Sequence, residues 1–163
     1  MAALGLNHVS ISAVDIEESV RFYRTLFDLE PIPTYTFAFP SQYLRVGELQ
    51  LHLFQRSTTA PEFHHVAFDV DDFEATFARA SAMGILEDST FFSSWWVLPD
   101  GSVQLYLRDP AGNLVEVCWP DVSTLTPSLA TQIPELAASV EQSAEGRTSS
   151  LYSTRRSRKH AVN

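Results

Sequence analysis

The sequence is poor in cysteine, in lysine and in long apolar runs, and each shortage narrows the class of protein. Cys118 is the only cysteine among 163 residues, so no intrachain disulfide can form, which fits a reducing cytoplasm. No apolar run approaches the ~18 residues that a membrane-spanning helix needs. The first residues show neither the basic nor the apolar segment of a signal peptide. We therefore expect a cytoplasmic protein without a membrane partner.

Lysine is absent from residues 1–120, where six arginines stand against 16 acidic residues. The phosphate backbone of a nucleic acid is bound by lysine and arginine, so this acidic region argues against a nucleic-acid partner. The other basic residues lie at Arg147 and from Arg155 to Lys159, where a solvated terminus is the simpler interpretation. With 45% hydrophobic residues, the chain can bury a hydrophobic core.

The chain contains an internal repeat. When the sequence is shifted by 57 residues, the segment 8–30 aligns with the segment 65–87 without a gap. Tyr43-Leu44-Arg45 also returns as Tyr106-Leu107-Arg108. Two copies in the same order indicate a duplicated unit. The identical pairs are His8/His65, Val9/Val66, Asp15/Asp72, Glu17/Glu74, Leu29/Leu86 and Glu30/Glu87.

Each copy predicts one strand, one helix and three further strands. Residues 6–12 and 64–70 alternate between polar and apolar side chains, which is typical of half-buried strands. An apolar stripe at helical spacing follows each, with Asp15 and Asp72 as the expected N-caps. The remaining strands are predicted near 34–38, 42–46 and 49–55, and near 90–94, 103–108 and 113–119. The sequence thus predicts an α+β fold of paired βαβββ modules.

The expected domain covers residues 1–122, with modules at about 4–56 and 62–120. After residue 120, Pro127 and Pro134 interrupt any long helix or strand, and residues 135–142 could form a short helix. From Ser143 onward serine, threonine and arginine dominate, so we expect residues 123–163 to be a tail that is partly helical and then disordered.

Strand alternation places four ionisable side chains on the face that points away from the helices. They are His8, His52, His65 and Glu116. A buried carboxylate such as Glu116 needs a compensating partner, because burying it alone would cost several kcal/mol. Imidazole and carboxylate ligands together suit one divalent ion of Fe, Mn, Ni, Zn or Co.

Three motifs of the sequence carry a resemblance to a known family. The motifs are Leu6-Asn7-His8-Val9 with Ser19-Val20-Arg21-Phe22-Tyr23, then His64-His65-Val66-Ala67-Phe68, then Asp109-Pro110-Ala111-Gly112-Asn113-Leu114-Val115-Glu116. They resemble those of the vicinal-oxygen-chelate superfamily, which includes glyoxalase I, extradiol dioxygenases, epimerases, fosfomycin-resistance enzymes and bleomycin-binding proteins. The resemblance spans about residues 4–120, and the turn in the third motif is its most specific feature.

The resemblance implies two curved sheets that form a half-barrel around one divalent metal ion. His8, His65 and Glu116 match the family's first, third and fourth ligand positions. His52 matches the second, where relatives carry Glu or Gln, so it is either a ligand, an acid or base near the metal, or a packed residue. Tyr106, ten residues before Glu116, resembles the catalytic tyrosine of extradiol dioxygenases. The resemblance also implies a homodimer and a small substrate with two adjacent oxygens.

Three functions remain open from the sequence. Tyr106 and the absence of an acid at position 52 favour, by a small margin, an oxygenolytic enzyme of the dioxygenase type. A lyase or isomerase of the glyoxalase or epimerase type is the alternative. A metal-free binding or resistance protein is the third. The aromatic run at residues 91–96 either belongs to the core or lines an apolar pocket.

Overall fold

The computed structural model describes residues 5–57 and 60–152, in which two successive modules share one architecture. The first module contains β1 (His8–Ala13), α1 (Ile16–Phe27), β2 (Pro31–Ile32), β3 (Ser41–Val46) and β4 (Leu49–Gln55). The second contains β5 (His65–Asp69), α2 (Phe73–Met83), β6 (Trp95–Val97), β7 (Val103–Arg108) and β8 (Leu114–Trp119).

Each module forms a four-stranded sheet with the same topology. The strand orders are β1-β4-β3-β2 and β5-β8-β7-β6. In each sheet the first strand pairs in parallel with the last, and the other pairs are antiparallel. The α+β fold of paired βαβββ modules that the repeat predicts is therefore confirmed.

The two long helices begin where the sequence predicts. The carboxylates of Asp15 and Asp72 accept hydrogen bonds from backbone N–H groups three residues on, at Glu18 and Ala75, and so satisfy donors of the first turn. The second helix ends at Gly84, which adopts the left-handed conformation at φ 66°. The first ends at Asp28 in the same conformation, a position where Asp is tolerated better than most residues.

One hydrophobic core joins the two modules. Tyr23 and Leu26 on α1 are fully or almost fully buried. The ring of Phe27 stacks on Phe68 of β5 at a centroid distance of 4.6 Å. Each such side chain contributes roughly 1.5–3 kcal/mol when it leaves water. The packing of α1 on β5 therefore fixes how the first module lies against the second.

The turn at Asp109 is a second link between the modules. One carboxylate oxygen of Asp109 accepts backbone N–H bonds from Ala111 and Asn113, at 2.9 and 2.8 Å. The other accepts the Tyr23 hydroxyl at 2.9 Å and the Asn113 amide at 2.8 Å. Gly112 has φ 80°, which favours glycine. The aspartate, glycine and asparagine of this motif are thus required by the turn itself.

Two strands differ in position from the prediction. The strand expected near 34–38 is the two-residue β2 at Pro31–Ile32, and beyond it the Thr34 hydroxyl accepts the backbone N–H of Tyr43 at 2.9 Å in place of a backbone carbonyl. The strand expected near 90–94 lies later, at Trp95–Val97. Phe92 has φ 62°, which is incompatible with an extended strand and explains the shift.

The segment after β8 packs back on the domain. It contains α3 (Pro127–Ala130) and α4 (Leu136–Ser139), and its Leu125 and Ile133 side chains are buried in the core. Part of the segment after Ser143, which we expected to be disordered, is ordered. It forms a 3-10 turn at Gly146–Thr148, and the hydroxyl of Tyr152 donates a hydrogen bond to Asp69 at 2.9 Å. The basic cluster beyond residue 152 lies outside the described residues. Within those residues, no helix has both the length and the apolarity of a membrane span.

Candidate metal centre

The predicted ligands lie on the first and last strand of each module, at the N-terminal half of each strand. Ser10 lies opposite His52 in the first sheet, so His8 and His52 are close on one face. Ala67 lies opposite Glu116 in the second sheet, so His65 and Glu116 are close on the matching face. The structure thus gathers the four residues as two pairs, one in each module.

The second pair has a geometry that fits a metal ion. The His65 Nδ1 atom lies 3.0 Å from the carbonyl oxygen of Phe63. Because a carbonyl only accepts, Nδ1 carries the proton, and in the neutral ring Nε2 holds the lone pair. That Nε2 lies 3.3 Å from Oε2 of Glu116. Two acceptors face each other there, so a proton or a cation must lie between them.

The spacing of these two atoms also suits a shared ion. Bonds of ~2.1 Å from imidazole nitrogen and carboxylate oxygen to one ion would meet at an angle of roughly 100° across that gap, between the tetrahedral and octahedral values. His65 and Glu116 can therefore supply two ligands to one metal ion. The orienting bond from Nδ1 to a carbonyl is the usual arrangement around a metal-bound histidine.

A hydrogen-bond network holds the Glu116 carboxylate in place. Its Oε1 accepts from the Gln104 amide and from the Cys118 thiol, each at 2.9 Å. The amide oxygen of Gln104 in turn accepts the Tyr106 hydroxyl at 2.9 Å. Burial, together with the charges of Glu116 and Cys118, raises the pKa of Tyr106, so its hydroxyl remains a donor. Every member of this network lies on β7 or β8.

Tyr106 lies beside Glu116, as its spacing in the sequence suggests, but its hydroxyl donates to Gln104. It is directly opposite Glu116 in the register of β7 and β8. The hydroxyl nevertheless donates to Gln104, so Tyr106 acts on the carboxylate through that amide. A direct role toward substrate stays a prediction.

The first pair is an aromatic stack. The ring of His52 lies between His8 and Tyr43, at centroid distances of 4.2 and 3.5 Å. Burial, and then the adjacent His8, lowers the pKa of His52. The His52 Nε2 contacts the amide oxygen of Gln50 at 2.9 Å and so carries the ring proton. In this tautomer only Nδ1 of His52 has a free lone pair.

His8 resembles His65 in how its ring is oriented. Its Nδ1 contacts the amide oxygen of Asn7 at 2.9 Å, which leaves Nε2 as the lone-pair nitrogen. The ring is on the exposed side of β1, at the open end of the stack. The Nε2 atom of His8 is thus oriented to bind a metal ion, whereas the ring of His52 is packed beneath that of His8. Whether His52 also binds metal stays a prediction.

The two pairs are not adjacent within one chain. Among the described residues, no three His, Cys, Asp or Glu side chains come together as a metal-binding group. The Asn113 amide donates to the carbonyl of Ser12 at 2.7 Å, so the end of β1 adjoins the start of β5 and β8. His8 precedes Ser12 by four residues, which is about 13 Å along a strand. In the part of the chain that the structure describes, His8 therefore does not join His65 and Glu116 in one ligand group, although residues 9–12 and His65 line one cavity of about 270 Å³.

Two cavities lie beside β7. One, of about 280 Å³, is lined by His65 and Glu116 and by Leu151 and Tyr152. The other, of about 360 Å³, lies between the 91–96 segment and α4 and contacts neither candidate ligand. Gln104 borders both cavities. Its contact with Glu116 is the feature of the candidate site that the sequence does not predict, although its position two residues before Tyr106 puts it on the same strand face.

Comparison with known proteins agrees with this architecture. The family model of the Glyoxalase/Bleomycin resistance protein/Dioxygenase superfamily matches residues 5–117. Glyoxylase I 4 of Arabidopsis thaliana is 24% identical over 132 residues, which cover 75% of this chain and 74% of that protein.

Two solved structures illustrate the likeness in fold. Lactoylglutathione lyase from Agrobacterium tumefaciens has a TM-score of 0.55 and 25% identity, with 72% of this chain and 94% of that chain covered. The fosfomycin resistance protein FosX from Listeria monocytogenes, complexed with Mn(II) and sulfate, has a TM-score of 0.57 and 17% identity, with 72% and 93% covered. The chain belongs to the Glyoxalase/Bleomycin resistance protein/Dioxygenase superfamily.

Proposed function

We propose that the protein is a metal-dependent enzyme whose metal site is shared between two copies of the chain. His65 and Glu116 of one copy and His8 of the partner subunit would hold one divalent ion. The observation that carries this proposal is the 3.3 Å approach of His65 Nε2 to Glu116 Oε2, with Nδ1 of the same ring bonded to a carbonyl. A cation between the two atoms accounts for both contacts.

The separation of the ligands within one chain supports the shared site. His8 has an oriented and exposed ring but no acidic ligand beside it. His65 and Glu116 lack a third ligand within the described residues. A twofold dimer in which the first module contacts the second module of the partner would satisfy both pairs at once, because the symmetry repeats that contact on the other side. Dimers are also common in this superfamily.

When bound, the ion would act as a Lewis acid toward a substrate with two adjacent oxygens. The residues of the chain would orient that ion and exclude water. Gln104 and Cys118 hold one oxygen of Glu116, which leaves the other oxygen toward His65. The buried Tyr106 hydroxyl fixes the amide of Gln104. A carboxylate held this way needs little reorganisation when ligand or charge changes beside it.

Of the two enzyme classes, the side-chain contacts favour redox-neutral lyase or isomerase chemistry. The case for an oxygenolytic enzyme rests on Tyr106, and its hydroxyl donates to Gln104. The relatives named as a glyoxalase and a lactoylglutathione lyase point in the same direction. One observation still favours the oxygenolytic class, since Tyr106 lies directly opposite Glu116.

The test compares the metal content of two neighbouring histidine variants. His65→Ala should lose stoichiometric metal after loading with Mn(II), Fe(II), Ni(II), Zn(II) or Co(II), as measured by elemental analysis. His64→Ala is the matched control, because His64 is exposed and adjacent and no ligand role is assigned to it. Equal metal content in both variants, or no metal in the unaltered protein, would contradict the proposal and favour a metal-free binding protein.

The reaction class is tested on the loaded protein. Oxygen consumption with a panel of catechols measures oxygenolytic chemistry, and turnover of hemithioacetals or epoxides under anaerobic conditions measures redox-neutral chemistry. We expect turnover that does not depend on oxygen. Stoichiometric oxygen uptake with a catechol would show that the oxygenolytic class is correct.

A further inference from the structure

The cavity between the 91–96 segment and α4 has the size and lining of a small-molecule site. Its volume of about 360 Å³ lies at the lower end of the range for ligand pockets, roughly 300–1,000 Å³. Its walls carry three kinds of side chain: aromatic rings at Phe91, Phe92 and Trp96, aliphatic groups at Leu136 and Val140, and polar groups at Gln104, Tyr106 and Ser139. No wall residue is charged.

The conformation of the aromatic segment suggests that it serves a ligand. Phe92 is 93% exposed, and its backbone has φ 62°, a conformation that costs a bulky residue of order 1 kcal/mol. Folding alone gives no reason to hold an apolar ring in water on a strained backbone. The neighbouring Phe91 packs on Tyr106 at 4.5 Å, and the indole N–H of Trp96 donates to the carbonyl of Phe91 at 3.3 Å. These contacts hold the segment that carries Phe92 in place.

The opposite wall comes from outside the family region. Residues 5–117 match the superfamily, and α4 follows that match. A backbone hydrogen bond from Val97 to the carbonyl of Pro134, at 2.9 Å, fixes the start of α4 beside β6. Leu136 and Val140 then close the cavity. This pocket is thus built by a segment that the family match does not include.

The pocket adjoins the cavity of the candidate metal centre at Gln104. That side chain borders both cavities and donates to Glu116 at 2.9 Å. The linings of the two cavities contain Asp69 and Glu116 but no lysine or arginine. Apart from the proposed metal ion, which the adjacent oxygens of the substrate would occupy, a phosphonate or a peptide carboxylate would find no cationic partner in either lining, and Asp69 would repel it.

We propose that this pocket binds the uncharged aromatic part of the substrate, whose oxygen-bearing end reaches the metal centre. The inference rests on the proposed function for the placement of that second end. It assigns the substrate class as neutral, ring-containing compounds. It therefore separates this protein from enzymes that act on phosphonates or glutathione conjugates.

The test uses two fluorescent probes that differ by one sulfonate and that need no metal. N-phenyl-1-naphthylamine is neutral, and 1-anilinonaphthalene-8-sulfonate adds a negative charge to the same rings. We expect the neutral probe to bind the full-length protein at least about tenfold more tightly than the sulfonate, which corresponds to about 1.4 kcal/mol. Equal or tighter binding of the sulfonate would overturn the assignment of a neutral occupant.

Two valine variants locate the binding. Val140→Asp places a carboxylate in the pocket and should weaken the neutral probe about tenfold or more. Val14→Asp is the matched control, because Val14 is 56% exposed against 55% for Val140 and lies outside the pocket. Phe92→Ala provides a second test that leaves α4 intact, and it should weaken the probe several-fold. Equal affinities of all three variants and the unaltered protein, or no binding by the unaltered protein, would overturn the pocket.

The outcome is independent of the metal. Probe binding that fails in a protein with intact metal binding removes only the pocket. Probe binding that succeeds in a protein that takes up no metal removes only the proposed catalytic centre. Displacement of the neutral probe by 3-phenylcatechol, but not by 2,3-dihydroxybenzoate, would extend the same charge preference to compounds with adjacent oxygens.

Discussion

The two modules share strand order and register but use the same face in different ways. Tyr43 and Tyr106 are repeat partners, and each lies opposite the second candidate ligand of its module, His52 or Glu116. In the first module the tyrosine stacks on the imidazole. In the second it donates to an amide that holds the carboxylate. Duplication preserved the backbone, while the side chain at one position decided whether the face became aromatic or polar.

This difference explains why neither face makes a metal site by itself. The first face offers two imidazoles but no carboxylate. The second offers a fixed carboxylate and one imidazole, which supply charge but too few ligands for a typical site. A site with two histidines and one carboxylate needs both faces. The comparison therefore predicts which changes matter in each module.

The largest effect is expected from the glutamine that holds the carboxylate. Gln104→Leu removes the amide between Tyr106 and Glu116, and we expect metal affinity to fall roughly 10- to 100-fold, as is usual for partners of metal ligands. Isothermal titration with Mn(II) or Zn(II) measures the change. Gln50→Leu, which removes the contact to His52, serves as the control and should leave affinity within about twofold. Equal losses would show that His52 is a ligand and that the modules contribute alike.

The next effect concerns the turn that only the second module has. Tyr23→Phe removes the hydroxyl that donates to Asp109, and a buried hydrogen bond to a carboxylate contributes about 1.5–3 kcal/mol. We expect the free energy of unfolding in urea to fall by about 2 kcal/mol. Tyr35→Phe, at a tyrosine that is 79% exposed, should change it by less than about 0.5 kcal/mol. A similar loss in both variants would mean that the turn does not join the modules.

The smallest effect compares two repeat partners, Glu30 and Glu87. Arg108 donates to Glu87 at 2.7 Å, whereas no ion pair joins Glu30 to Arg45, the repeat partner of Arg108, among the described residues. Hydrogen bonds from Arg108 and then Ser89 lower the pKa of Glu87 from 4.5 to about 2. The ionised carboxylate therefore stabilises the fold above pH 4.5, and this contribution is lost as the pH falls toward 2.

Glu87→Gln should accordingly lower the free energy of unfolding by about 1 kcal/mol at pH 7 and by much less near pH 2. Glu30→Gln should leave the curve of stability against pH nearly unchanged. Urea unfolding between pH 2 and 7 compares the two variants with the unaltered protein. Parallel curves for all three proteins would show that the ion pair has no net effect.

Much of the fold could be predicted because the repeat carries local signals twice. Asp15 and Asp72 predict both N-caps, and alternation in β1, β4, β5 and β8 predicts which side chains share a face. The short strands β2 and β6 could not be placed. Their positions depend on the contact of the Thr34 hydroxyl with the Tyr43 backbone and on the left-handed backbone of Phe92, and a hydrophobic pattern does not record such local features.

The candidate site was predictable as a set of side chains but not as an arrangement. Alternation shows that His8, His65 and Glu116 lie on equivalent faces, yet it does not show how far apart two faces lie after the modules pack. The relative position of the two faces depends on tertiary contacts such as that of Asn113 with Ser12, which no sequence pattern records. The role of Gln104 was missed for the same reason, because its hydrogen bonds to Tyr106 and Glu116 depend on rotamers.

The most direct test of the shared site is to mix two variants, each of which lacks one proposed ligand and should bind no metal alone. His8→Ala keeps the pair His65 and Glu116, and His65→Ala keeps His8. If the site spans two copies, subunit exchange restores one complete site in each mixed dimer, so about a quarter of all sites should recover metal by elemental analysis. If the three ligands come from one chain, the mixture will bind no more metal than either variant alone.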